Sequence, residues 1–268
     1  YLHSMRAWIP VVILLLAVSV MAQFKWVQYL NINSAWGSCT FNNLVVVIGY
    51  NGTDAPVIFM DKNTGEIVKV VKIPSGDKPT NCLQVGDRLY IGGKKTYIID
   101  KDLRVVKAVD VGFNVYTLTS DGNYIYLAGS AEQMVREEVS GNVIRRWYTQ
   151  VFHIEKRNLD LQLVDSHRIY QPDWRWGEIR ELGVNPQTDQ IWAVGYYDTE
   201  KRLNNIVIII IFDKGLNIKK KIEQIFYPSP FKNAGLCFDK EGNAYVKLPW
   251  DFGLAKFDKN GGYVNASN

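Results

Sequence analysis

Ile58-Phe59-Met60-Asp61-Lys62 is an apolar run that ends on an acid and a lysine, and it decides the fold because the chain repeats it. The other copies are Tyr97-Ile98-Ile99-Asp100-Lys101, Phe152-His153-Ile154-Glu155-Lys156, Ile210-Ile211-Phe212-Asp213-Lys214 and Ala255-Lys256-Phe257-Asp258-Lys259. Successive acids stand 39, 55, 58 and 45 residues apart. A short turn follows each copy, usually with Gly or Asn, and four copies then run into an alternating strand such as 66–73 or 105–111. An acid at the head of a turn can accept a backbone N–H two residues on. The five acids therefore read as turn residues before they read as catalysts.

Upstream of each copy lies another strand, at 44–50, 88–93, 123–129, 190–196 and 243–248. Turn residues precede four of these, for example Asp121-Gly122-Asn123 and Glu241-Gly242-Asn243. Before the turns sits a shorter apolar strand, around Cys39, Leu83, 115–118, 179–184 and 236–238. Each unit thus carries four strands, and period-two alternation without helical segments is strand grammar. Four-stranded units of about 40–50 residues are propeller blades. The expectation is an all-β, five-bladed β-propeller filling residues 23–268. The fifth unit has only the poorly alternating stretch 262–266 for its outer strand. Residues 24–32, FKWVQYLNI, alternate and belong to no unit. They are expected to pair with the last blade and close the ring, which removes exposed edges.

The stretch Gly86-Asp87-Arg88-Leu89-Tyr90-Ile91-Gly92-Gly93, followed by Tyr97-Ile98-Ile99-Asp100, resembles the repeats of quinoprotein-like and YVTN-like propellers. The resemblance covers most of residues 35–260 and implies the fold. The tryptophan-docking motif of quinoprotein blades is not evident, so no quinone, and no other cofactor, is expected.

Bulk properties bound the rest. The chain has 268 residues, 47% of them hydrophobic, which is enough for a sizeable core. The net charge is +4 and scattered, so the basic stripe of a nucleic-acid binder is missing. The run Lys219-Lys220-Lys221 reads as a solvated strand edge. Residues 1–22 look like a leader: Arg6, then an apolar stretch from Ile9, then Val20-Met21-Ala22 before Gln23, which suits cleavage after Ala22. An uncleaved anchor is the second reading and the one route to a membrane. Export to the outside or to the cell surface follows. Asn51-Gly52-Thr53 and Asn265-Ala266-Ser267 then become usable glycosylation sequences. The three cysteines, Cys39, Cys82 and Cys237, all fall on first strands. A bridge from Cys39 to Cys82 or to Cys237 is open, but small buried thiols packed in a crowded centre are the stronger reading. No metal site is expected, and His153 and His167 read as packing residues.

The most unusual stretch is Gln171-Pro172-Asp173-Trp174-Arg175-Trp176. Flat rings stack on sugar rings or bases, and Arg with Asp fixes polar groups of a ligand. With Trp36, Phe231, Trp250 and Asp251 from neighbouring loops, Asp173, Trp174, Arg175 and Trp176 form the expected ligand face for a carbohydrate, peptide or protein partner. The same rings could instead plug the channel mouth. A glycosidase or lyase needs two carboxylates about 5–9.5 Å apart. Only Asp173, Glu178, Glu181, Asp77 and Asp251 are available, and Glu178 and Glu181, three apart on one strand, should face opposite ways. Residues 132–147 lengthen the third unit into a projecting hairpin, with Glu137-Glu138 and Arg145-Arg146 flanking the turn at Ser140-Gly141-Asn142. A structural subunit of a surface assembly is the third reading.

Overall fold

The computed structural model describes residues 26–199, 202–225, 234–247 and 253–267. Among these residues are twenty strands in five runs of four. Unit 1 holds β1 (Ser34–Phe41), β2 (Leu44–Tyr50), β3 (Asp54–Asp61) and β4 (Ile67–Pro74). Unit 2 holds β5 (Asn81–Val85), β6 (Arg88–Gly92), β7 (Lys95–Ile99) and β8 (Val105–Asp110). Unit 3 holds β9 (Asn114–Ser120), β10 (Tyr124–Ser140), β11 (Val143–Asn158) and β12 (Leu163–Ile169). Unit 4 holds β13 (Trp174–Val184), β14 (Ile191–Thr199), β15 (Arg202–Phe212) and β16 (Ile218–Ile225). Unit 5 holds β17 (Leu236–Phe238), β18 (Ala244–Lys247), β19 (Leu254–Phe257) and β20 (Tyr263–Ser267).

Within each unit consecutive strands pair antiparallel. Units 3 and 4 merge into one sheet through a single parallel pairing, Gln150 with Trp176. The first strands of successive units lie against one another in chain order: β1, β5, β9, β13, β17.

The core lies between the sheets, because each middle strand is buried on both faces. Along β15, Ile206, Ile208, Ile210 and Phe212 pack towards unit 3, while Val207, Ile209 and Ile211 pack towards unit 5. That is why this strand reads as a continuous apolar run. Units 1 and 2 share a cluster around Phe41, Phe59 and Ile91. Units 2 and 3 share one around Tyr90, Val115 and Leu127.

The repeated acids do head turns, with one exception. Asp61 Oδ1 accepts the N–H groups of Asn63 and Thr64. Asp100, Asp213 and Asp258 each accept from the residues two and four positions on. In unit 3 the acid of the repeat, Glu155, is not the turn residue. It is buried in β11, and Asn158 Oδ1 accepts from Asp160 and Gln162 in its place. The true register therefore lies three residues further on. Leu103, Leu161 and Leu216 fix it, each standing three after its Asp or Asn with a φ of 59°, 61° and 57°. A bulky residue in that left-handed region is costly, and burial of the three Leu side chains offsets it.

Two expectations are corrected. Residues 26–32 form no strand and do not join unit 5, whose outer strand is β20, paired with β19. Instead they lie on unit 1: Trp26 Nε1 donates to Lys62 O at 2.9 Å, and its ring occupies the space where a Cβ on Gly65 would stand. The indole N–H finds an acceptor there, and the last sheet already has its fourth strand. The cysteines also differ from three packed thiols. Cys39 and Cys82 form a disulfide between β1 and β5, with Cα atoms 5.8 Å apart, while Cys237 is free and exposed. Adjacent first strands bring the pair within bridging range. The leader-like segment 1–22 lies outside the described residues. Among those described, no helix is long and apolar enough to cross a membrane.

Candidate functional site

Three first strands carry one residue too many. In β1, Ala35 pairs with Gly49 and Gly37 with Ile48, so Trp36 has no partner across the ladder. In β9, Val115 pairs with Gly129 and Thr117 with Ala128, which leaves out Tyr116. In β13, Ile179 pairs with Gly195 and Glu181 with Val194, which leaves out Arg180. A bulge re-aims the extra side chain and is over-represented beside functional sites. All three extra residues line one cavity of about 800 Å³ at the mouth of the axis between the units. Its wall also takes Tyr50 from unit 1, Lys78 and Asn81 from the start of unit 2, Glu181 from unit 4, and Ala234 and Lys247 from unit 5.

Local chemistry holds each group. The Trp36 ring stacks on Tyr50 with centroids 4.8 Å apart and planes 14° apart. Arg180 lies over the Tyr116 ring at 4.1 Å, a cation–π contact. Its Nε and Nη2 donate to Glu178 Oε1 at 2.9 and 2.8 Å. Thr117 Oγ1 donates to Glu181 Oε1 at 3.3 Å, and burial pushes the Glu181 carboxyl above its ordinary range. Lys78 follows the 3-10 turn Ser75–Asp77 with a φ of 47°, held by its N–H donating to Ser75 O at 3.0 Å. Beside this cavity a smaller one of about 370 Å³ opens between units 2 and 3, lined by Asp77, Lys94, Lys95, Asp110 and Arg168 among others.

The expected ligand face is divided by the structure. Trp36 lines the axial cavity. Trp174 is a core residue, 3% exposed, stacked on Tyr197 at 4.4 Å. Arg175 is a further bulge in β13, because Trp174 pairs with Thr199 and Trp176 with Asp198. That extra residue sends Trp174 to the unit 3 side and the half-buried Trp176 to the unit 5 side, so the rings do not bracket Arg175. Asp173 and Arg175 are exposed. Phe231, Trp250 and Asp251 lie outside the described residues.

The acids also differ from expectation. The bulge at Arg180 resets the alternation, so Glu178, opposite Tyr196, and Glu181, opposite Val194, share a face instead of opposing one another. Glu178 is buried and bonded to Arg180, while Glu181 is the only carboxylate among the described residues lining the axial cavity. Asp77 lines the smaller one, where it accepts from the Tyr97 hydroxyl. Of the acids considered for a flanking carboxylate pair, Glu181 thus lines the axial cavity and Asp77 the smaller one, whose wall also takes Asp110 and Glu132.

Sequence reading missed Tyr116, Arg180, Lys78 and Lys247. The signal was a glycine inside each second strand, Gly49, Gly129 and Gly195, since strand-interior glycine marks a bulge or a close backbone approach. A Cβ on Gly129 would strike Asn114 O.

The projecting hairpin of unit 3 rises from the same mouth end. Its ladder runs from Ser140–Val143 at the turn to Glu132–Gln150 at the base, with Glu137 bonded to Arg146 and Arg136 to Glu138. Glu138 faces Arg145 in register but bonds along its own strand instead. His153 is buried, edge-on to Phe113, and His167 packs edge-on to Phe212. Asn51 and Asn265 are both exposed.

No family model matches the chain, and no curated protein matches it. Solved structures do. The Dos1 propeller aligns with a TM-score of 0.56 at 10% identity over 88% of this chain and 59% of its own. Streptogramin B lyase aligns at 0.54 and 10% identity, over 88% of this chain and 70% of that one. BamB from Moraxella catarrhalis aligns at 0.51 and 11% identity, over 90% and 79%. At such identities the likeness speaks to architecture alone, and with the repeating four-stranded sheets it makes this chain a β-propeller resembling the quinoprotein-like and YVTN-like repeats.

Proposed function

We propose that the chain works outside the cytoplasm as a five-bladed interaction module that receives a protein partner on its mouth face. An extended segment of that partner enters the axial cavity. The observation that carries this reading is convergence: bulges in three separate units each turn their extra side chain, Trp36, Tyr116 and Arg180, into one cavity. Packing alone gives no reason for three bulges to meet. A volume of about 800 Å³ also suits a ligand, since binding clefts commonly hold about 300–1,000 Å³.

Five runs of four strands, with shared clusters between successive sheets, support five blades. The ring then closes between units 5 and 1, with residues 26–32 lying over unit 1. The Cys39–Cys82 disulfide supports an oxidising compartment, in line with the leader-like residues 1–22. Exposed Asn51 and Asn265 are the proposed glycan acceptors.

The test is a photo-crosslinking residue placed at position 36 of the full chain, in its native compartment, and in parallel at position 67 on the outer strand β4. A discrete adduct at 36 and none at 67 is expected. Equal labelling at both, or none at 36, ends the reading.

A further inference from the structure

Among the described residues, the axial cavity is lined by more cationic groups than acidic ones. Lys78 and Lys247 line it, and among the described residues neither has a carboxylate within ion-pair distance. Arg180 is anchored from behind by Glu178 through Nε and Nη2, which leaves Nη1 without a partner among the described residues. The one acid of the lining among the described residues, Glu181, is shifted towards its neutral form by burial. One of these cations is fixed in place: the Arg180 guanidinium is clamped between the Tyr116 ring and Glu178. Lys78 and Lys247 are exposed, on backbones held by their N–H groups donating to Ser75 O and Gly235 O. A pre-placed guanidinium with two lysines beside it in a partly enclosed cavity selects carboxylates, because part of the ordering cost is met before binding.

A second feature separates peptide from sugar. β9, the strand on the axial side of β10, stops pairing at Asn114–Ser130, while β10 continues to Ser140. Beyond Ser130 the axial edge of β10 therefore carries backbone N–H and C=O groups with no strand beside them. An isolated two-stranded ribbon is marginal in water. This one also exposes Met134, Val139, Ile144 and Tyr148, at 46%, 67%, 55% and 57%. A peptide can add a third strand to that edge, with main-chain bonds that a saccharide cannot supply.

Resting on the interaction reading above, we propose that the partner segment is an acidic, extended peptide. Its backbone pairs with the axial edge of β10, and its carboxylates enter the cavity to meet Lys78, Lys247 and Arg180.

The test is calorimetric titration of the full chain at low ionic strength with capped hexaglutamate, capped hexaglutamine and hexagalacturonate. Two double variants accompany it: Lys78→Gln with Lys247→Gln in the cavity, and Lys101→Gln with Lys259→Gln on turns at the opposite end of the sheets. Hexaglutamate is expected to bind and hexaglutamine not to. The cavity variant should weaken hexaglutamate about tenfold or more and the control variant less than twofold, with both variants keeping wild-type melting curves. Equal losses in the two variants, tighter binding of hexagalacturonate than of hexaglutamate, or no binding of hexaglutamate would each overturn the proposal. If the adduct at position 36 forms while hexaglutamate fails, only the acidic class falls; if the adduct is also missing, the axial reading falls with it.

Discussion

The two ends of the same five sheets are built by different means. At the turn end, between third and fourth strands, an Asp or Asn accepts nearby backbone N–H groups, and the pattern is copied from unit to unit. At the mouth end a bulge recurs in three units, but the side chain it re-aims is not copied. Unit 1 offers a stacked Trp36, unit 3 a Tyr116 under a guanidinium, unit 4 that Arg180, and unit 3 also extends a long hairpin. The turn end is bonded within four residues of chain, so each copy can be specified alone. The mouth end depends on bulges whose consequences appear only when separate units meet around one cavity. Repetition thus marks what the fold needs, and departures from it mark where function is carried.

Glu155 gives the strongest test of this contrast, because it imitates the turn acids without being one. It is buried between His153, at 3.1 Å from Nε2, and Arg157, whose Nε and Nη2 lie at 2.6 Å. Glu155→Ala leaves a buried cation unpaired, which costs about 3–5 kcal/mol. Urea denaturation would measure it. A loss no greater than that of a turn acid would put Glu155 back in the repeat. Next comes the bulge itself. Gly129→Ala drives a Cβ into Asn114 O, and overpacking of that kind costs about 1–3 kcal/mol. The strand must shift, so the Trp36-site adduct should fall with it; an unchanged melting point would mean that the bulge at Tyr116 tolerates any residue opposite it.

The smallest effect belongs to the turn end. Asp213→Ala removes hydrogen bonds to Gly215 and Asn217 and should cost about 1 kcal/mol. Backbone donation from Asn217 holds the Asp213 carboxyl down at about 2, against an ordinary 3.8. Because the folded value is the lower one, the stabilisation is complete above the unfolded value and disappears as pH falls from about 4 towards 2. Asp213→Asn should therefore differ from the parent at pH 7 and converge with it near pH 2, as read from urea midpoints. A gap that persists at pH 2 would break the assignment.

Much of the fold was legible because its signals are local. Alternation, turn residues and the repeat marked every first, second and third strand near its observed position. The signal failed where two chemistries share a spelling. Glu155-Lys156 reads like Asp61-Lys62, yet the buried Leu161, rather than the acid, shows where the unit 3 turn begins. The aromatic stretch misled for a related reason: Trp174 and Trp176 share a face in a regular strand, and one extra residue between them parts them. The same kind of extra residue brought Glu178 and Glu181 together. The strand-interior Gly195, which pairs with Ile179, was the available clue to that second bulge.

From its own letters the chain determined an all-β repeat, the strand sequence within each unit, and, in every unit but the third, the turn that joins third to fourth strand. These rest on alternation and on hydrogen bonds reaching two to four residues. Only the tertiary structure decided that Cys39 meets Cys82, that residues 26–32 lie on unit 1, and that Trp36, Tyr116 and Arg180 meet at the axis. Those contacts join residues far apart in the chain, where position is set by how the sheets stack and where each ladder slips by one.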